Sequence, residues 1–549
     1  MRLCSGIFIV ASLAFPLHAQ QFTEKIDVSI VNVDVTVTSR GEPVRGLTRD
    51  DFEVLEDGRL QTITNFYAVE NKPALRAQSA TPAGAADVAD ATDERFRRKV
   101  LVIVDNVHTS KLNRNRALEK LERFIDDHFA GGDYDWSIAV AGSRLQLVLP
   151  LTSDKDTIHT AINIIRKEGT WRTYRDALVA KANVDRAARP ASMYADPFAT
   201  FEGHNMDSKV AFMTTVDSLE QQMLSMGTVR AIREATRSFA STSGRKIILL
   251  LSSGIGSTGD VQVESIRSGP QMNDDGAVGG PAPGDPRYVA AESARFFASV
   301  RDTIIREANA SNVSVYIINP EGLVPSMDVD NEFAPRPTYN GPLYWLARET
   351  GGILMPGNRP ELSLQQFDKT SSNFYSLAYR PDHGDDRGYH RITVRLKGNR
   401  KHELRYRDGY LSLSSDLQVM RSLLTPFSPS MHTATIPFTA TAGEARAEKG
   451  GLLVPIEAHV PLKDLQFLPE GAAWRAHVEL YVSIFDQNGA NIALRRFSTV
   501  ANAPTGTPSE GELIHNASIH LTNGKPHTIV VAVRDLTTDA LGMWRHIVK

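Results

Sequence analysis

From Ile26 the chain alternates apolar and polar positions, first at Ile26, Val28 and Ile30 and then at Val31, Val33, Val35 and Val37. A period of two is the mark of a strand with one buried face. The phase slips between Ile30 and Val31, which predicts a bulge or a break between two strands, and Arg40-Gly41-Glu42-Pro43 supplies a turn. Phe52 to Leu55, the Glu56-Asp57-Gly58 turn and Ile63 to Tyr67 continue the pattern. Residues 22–68 therefore read as an N-terminal β segment, too short to close a sandwich alone. Residues 69–98 hold an aperiodic stretch rich in Ala, Thr, Asp and Pro, which reads as a linker.

Over residues 99–356 the texture changes to apolar strands alternating with amphipathic helices, the pattern of a mostly parallel sheet covered on both faces. Val100 to Val104 is a continuous apolar run ending in Asp105. The helix after it carries Leu118, Leu121, Ile125 and Phe129 on one face, and Gly131-Gly132 ends it. Strands follow at Ser137 to Val140 and Leu145 to Leu149. Ser153-Asp154-Lys155-Asp156 caps a helix with Ile158, Ala161, Ile162 and Ile165 at helical spacing. A helical region from about Lys209 to Ser241 precedes the apolar strand Lys246 to Leu251. Beyond a Gly/Pro/Asp-rich loop come a helix through Phe296, Val300 and Ile304 and a strand at Val313 to Ile318. A short helix from Leu343 to Glu349 ends at Gly351-Gly352, a left-handed cap.

Period two returns over residues 372–412, through FYSLAYRP, YHRITVRLKG and HELRYRDGYL. Residues 430–549 carry strands at Leu452 to Val460, His477 to Phe485 and Thr528 to Val533 and read as a separate C-terminal β-sandwich. The expected fold class is a doubly wound α/β domain inserted in, or flanked by, Ig-like β-sandwich segments. In the inserted form the strands of 22–68 and 372–412 complete one sandwich, with Val31 to Val37 meeting Thr393 to Tyr410.

Residues 1–20 place Arg2 ahead of an apolar run from Ile7 to Phe15, then Pro16 and Ala19, which predicts a signal peptide and export to the periplasm or cell exterior. The run is far short of the roughly 20 apolar residues that span a bilayer, and no later segment qualifies. The single cysteine, Cys4, lies in this leader, so the remaining chain has neither disulfides nor thiolate metal sites. A net charge of −3 with Lys and Arg dispersed gives no footprint for a phosphate backbone, which excludes nucleic acid as the expected partner.

The order of elements over 99–356, with the first strand running KVLVIVDNVHTS, resembles the von Willebrand factor type A family. EPVRGLTRDDFEVLEDG, GRKIILLLSSG and NFYSLAYRP to LRYRDGY make the resemblance one to the secreted, acidobacterial type of von Willebrand A-related protein. The resemblance implies a metal-ion-dependent adhesion site at the C-terminal ends of the strands. Its pattern is Asp-x-Ser-x-Ser, a Thr before a later helix, and an Asp before Gly after the apolar strand. Here Asp105 and Thr109 match, Val107 replaces a hydroxyl ligand, and Ser253 stands where the second carboxylate belongs. Thr228 and Thr170 compete for the threonine, and the spacing from Ser253 favours Thr228. The implied site is degenerate: Mg²⁺, a hard ion that seeks oxygens, would be held by Asp105, Thr109 and Thr228. Asn106, His108, Thr109 and Ser253 become candidate ligand-binding residues.

Other chemistry is not supported. His402-Glu403 lacks the second histidine of a helical zinc motif, and Ser253-Gly254-Ile255-Gly256-Ser257 has the wrong order for a nucleophile elbow. The acidic turns Asn273 to Gly276 and Asp382 to Asp386 lack the full ligand spacing of a Ca²⁺ loop. Trp171 and Tyr174, in an Arg-rich stretch, read as core or as a contact patch. The expectation is a non-enzymatic binding or adhesion protein with a protein or glycan ligand outside the cytoplasm. The alternatives are a secreted enzyme with a site in the insertions 171–208 and 255–290, or a structural envelope protein.

Overall fold

The computed structural model describes residues 30–69, 87–89, 97–128, 134–142, 144–167, 226–240, 244–254, 302–320, 341–384, 386–398, 402–431, 435–448, 451–471, 473–508, 510–521 and 525–548. The expected leader, Phe129, Thr170, Trp171, Tyr174, the turn at Asn273 and the insertions 171–208 and 255–290 all lie outside these residues. The described chain is β-rich. Among the described residues no helix is long and apolar enough to cross a membrane.

At the centre is a six-stranded sheet in the order Leu354–Pro356, Val313–Asn319, Arg245–Leu251, Arg98–Asp105, Tyr134–Ala141, Leu145–Thr152. Its pairings are parallel except the last. The continuous apolar runs follow from this position, because each strand is buried on both faces. Val100, Val102 and Val104 pack to one side with Leu118, Leu121 and Ile125 of the Lys111–His128 helix and Ile158 and Ile162 of the Lys155–Lys167 helix. Leu101 and Ile103 pack to the other side, with Ile232 and Phe239 from the 226–240 segment, Ile304 from the helix at 302–310, and Leu343 and Leu346. The Gly341–Glu349 helix ends as expected at Gly351, in the left-handed region at φ 80°. Gly352 then passes so close to the Val315 carbonyl that any β-carbon would collide with it.

Several elements went unread in the sequence, among them the helix that follows the central sheet. The Pro360–Ser371 helix lays Leu364 and Phe367 onto the first face and leads directly into the strand Phe374–Tyr379. Its apolar positions are interleaved with Ser363, Thr370 and Ser371, which are buried and dilute the periodic signal.

The N-terminal strands and those after residue 372 build common sheets. Val31–Ser39 lies antiparallel between Phe374–Tyr379 and Glu403–Arg405. Phe52–Glu56 pairs with Tyr389–Leu396, which pairs in turn with Gly409–Leu411. The direct strand partners of Val31 to Val35 are Tyr375 to Tyr379, whereas Ile392, Val394 and Tyr410 meet the valine row across a shared core. The central sheet meets these strands through two buried arginines: Arg245 lies over the Phe374 ring at 3.9 Å, and Arg98, stacked on Tyr134 of its own sheet at 3.8 Å, donates to the Ser372 hydroxyl just ahead of Phe374. Arg407 ties the units further, donating to the carbonyls of Asn309 and Asn32.

After a Ser415–Ser422 helix, two antiparallel sheets complete the chain. One is centred on Gly451–Pro461 and the other on Ala473–Phe485, with Val454, Ile456, Val482, Ile484 and Val531 in a shared core.

Candidate functional site

In the central sheet the strand order reverses between Arg98–Asp105 and Arg245–Leu251, where successive chain segments step outward in opposite directions. Such a switch point opens a crevice at the carboxyl ends of the strands. The parallel register pairs Val104 with Leu251, so Asp105 and Ser252 are the next residues on the two strands, both buried at the carboxyl ends beside the switch point.

Asp105 is fully buried, and its carboxylate is engaged on both oxygens. Oδ1 accepts from the amides of Val107 (2.8 Å) and His108 (3.2 Å) and, at 3.5 Å, from the Thr228 hydroxyl. Oδ2 accepts from the Ser252 hydroxyl at 2.6 Å and lies 2.9 Å from His108 Nδ1. Burial works to raise this carboxyl. The charge and hydrogen bond of His108, with the bonds from Ser252 and the Val107 amide, outweigh it and hold Asp105 below the ordinary aspartate value.

The other predicted residues divide into two kinds. Asn106 has internal partners: its amide donates to the Ala141 carbonyl and its side-chain oxygen accepts from Arg114 at 3.0 Å. Thr109 and Ser253 are different, since both hydroxyls are buried with no hydrogen-bond partner among the described residues. Thr228 lies beside Asp105, its hydroxyl 3.5 Å from Oδ1, while Thr170 lies outside the described residues. The sequence reading missed Ser252. Ser253 matches the second carboxylate position by sequence, yet it is the Ser252 hydroxyl that donates to Asp105 while accepting from the Gly254 amide. Strand register was the signal that could have found it.

These residues do not fit a Mg²⁺ ion. Octahedral Mg²⁺ needs hard oxygens with free lone pairs. Here the one carboxylate the described residues bring to the site accepts from protein donors on both oxygens, the Val107 side chain is buried where the family pattern has a hydroxyl, and an imidazole nitrogen faces Oδ2.

A second polar cluster lies in the flanking sheets, where Glu56, His383 and His390 place one ligand atom each within 4.8 Å of one another. This group can hold a metal ion.

No family model matches the chain, and no curated protein does. Among solved structures it is similar to an aerotolerance-related membrane protein from Bacteroides fragilis, at 14% identity over 50% of this chain and 98% of that one, with a TM-score of 0.23. It is also similar to proximal thread matrix protein 1 of the mussel byssus with a zinc-occupied MIDAS motif, at 9% identity over 53% and 50% of the two chains and a TM-score of 0.22. A third is the pilus adhesin SpaC from Lactobacillus rhamnosus GG in an open conformation, at 8% identity over 89% and 58% and a TM-score of 0.27. These likenesses are too weak to carry a functional argument.

Proposed function

We propose that the central unit is a doubly wound, von Willebrand A-like domain in an exported, non-enzymatic binding protein that contacts a protein or glycan through the crevice over Asp105 without a metal ion. The observation that carries this reading is the contrast inside the crevice. Asp105 is consumed by internal hydrogen bonds, which makes it a brace for the 105–109 loop. The Thr109 and Ser253 hydroxyls are buried and unpartnered among the described residues. Buried polar groups are seldom left unsatisfied, so two orphaned hydroxyls at a switch-point crevice favour a ligand that supplies the missing bonds. A carboxylate saturated in this way is poorly placed to act as a base or a nucleophile, which favours binding over catalysis.

Two measurements on the full chain test this. Thermal unfolding in EDTA and in Mg²⁺ should give the same midpoint; a rise with Mg²⁺ that disappears in Asp105→Ala would show that the adhesion site binds its ion after all. Interferometry against a panel of envelope proteins and peptidoglycan fragments should yield binding that survives EDTA and weakens at least about tenfold in Thr109→Val/Ser253→Ala, the loss expected from one or two hydrogen bonds. Binding that requires Mg²⁺, or turnover of a panel member, contradicts the reading.

A further inference from the structure

The Glu56-Asp57-Gly58 turn and the loop between Phe374–Tyr379 and Tyr389–Leu396 meet at one end of the flanking sheets. His383 Nε2 lies 2.7 Å from Glu56 Oε1, although the two residues are 327 positions apart. His390 Nδ1 lies 2.8 Å from Asp57 Oδ2 and 3.9 Å from Glu56 Oε1. The Tyr410 hydroxyl closes the group, 3.1 Å from Glu56 Oε2 and 3.3 Å from His383 Nε2. Glu56 and His390 are buried, His383 is half-buried, and Asp57 is exposed, so the cluster is enclosed below and reachable from solvent above.

The outer nitrogens of both rings are anchored. His383 Nδ1 meets the Gly384 carbonyl at 2.8 Å, and His390 Nε2 meets Asp386 Oδ1 at 3.0 Å. An acceptor on the far nitrogen is what fixes the tautomer and ring orientation of a metal-binding histidine and leaves the near nitrogen's lone pair for the ion. The near nitrogens here both point at carboxylates. The two rings stack with centroids 3.9 Å apart, which brings both near nitrogens to the same side, facing Glu56 and Asp57.

We infer that Glu56, His383 and His390 bind a divalent transition-metal ion, with Asp57 or the Tyr410 hydroxyl completing the shell and Asp386 positioning His390. Two imidazole nitrogens with a carboxylate oxygen suit Zn²⁺, Co²⁺ or Ni²⁺ and not the all-oxygen preference of Mg²⁺ or Ca²⁺. The ion would join the N-terminal strands to those that follow the central unit, fastening the two ends of the insertion. The acidic turn at Asp382 to Asp386, unremarkable by spacing alone, becomes the carrier of one ligand and one positioning carboxylate.

The test is calorimetric titration of zinc chloride into the chelator-treated full chain. The expected result is one tight site that is lost in His383→Ala and in His390→Ala and kept in Asp105→Asn. Asp386→Asn should keep the site and weaken it about 10–100-fold, the effect of losing an outer-shell partner. Cobalt should report the same site by visible absorption, and Mg²⁺ should not compete. Half-exposed His383→Gln, checked by circular dichroism for an unchanged fold, separates loss of a ligand from loss of structure. Failure to bind zinc, or a tight site unchanged in His383→Gln and His390→Ala, overturns the inference.

Discussion

His108 Nδ1 sits 2.9 Å from Asp105 Oδ2, so the loop that follows the central strand folds its own imidazole onto the carboxylate that ends that strand. With the Ser252 hydroxyl on the same oxygen, the contact joins the two strands that flank the switch point. The 105–109 loop is thereby tied to the strand at Ser252.

Asp105→Asn should consequently destabilise the central unit. The amide keeps one acceptor but turns a donor toward groups that already donate, leaving buried polar atoms unsatisfied, at a cost of ~2–4 kcal/mol. Urea unfolding followed by Trp136 fluorescence measures it, since Trp136 is buried in the same sheet. A variant as stable as the parent would mean that the bonds to Asp105 do not brace the loop.

Phe367→Ala should cost about 3–5 kcal/mol, the range for removing a buried aromatic and leaving a cavity. Phe367 is fully buried and meets the Tyr316 ring edge-on at 5.1 Å. Its helix also carries Asp368, which accepts from the Tyr134 hydroxyl at 2.8 Å, so loosening it should release the central sheet from the strand at Phe374. Differential scanning calorimetry should show the central unit melting apart from the flanking sheets; a small uniform shift would deny the helix that linking role.

His159 should impose a pH slope on stability that sets in above about pH 6.5. It bridges Glu122 at 2.8 Å and Asp126 at 2.9 Å, and the bond to Glu122 above all raises its pKa above the ordinary histidine value. The stability gained from a raised histidine is whole below about pH 6.5, the unfolded value, and is lost as pH climbs through the higher folded value. The parent's thermal midpoint should therefore exceed that of His159→Gln at pH 6 and converge toward it in the window above pH 6.5. Parallel profiles for the two proteins would rule the link out.

Much of the architecture was legible in local chemistry. Continuous runs such as Val100 to Val104 and Lys246 to Leu251 announced strands buried on both faces, and period-two stretches at both ends announced strands with one buried face, because side-chain direction follows backbone geometry residue by residue. Asp105 was visible as the polar residue that ends an apolar strand. The tertiary structure decided what no local pattern encodes. The register of Val104 against Leu251 set Ser252, not Ser253, on the carboxylate. The turn of the chain after Asp105 put His108 against the carboxylate. The closure of strands more than three hundred positions apart brought Glu56 to His383, two residues whose spacing carries no motif because the contact is made by the sheet and not by the neighbouring chain.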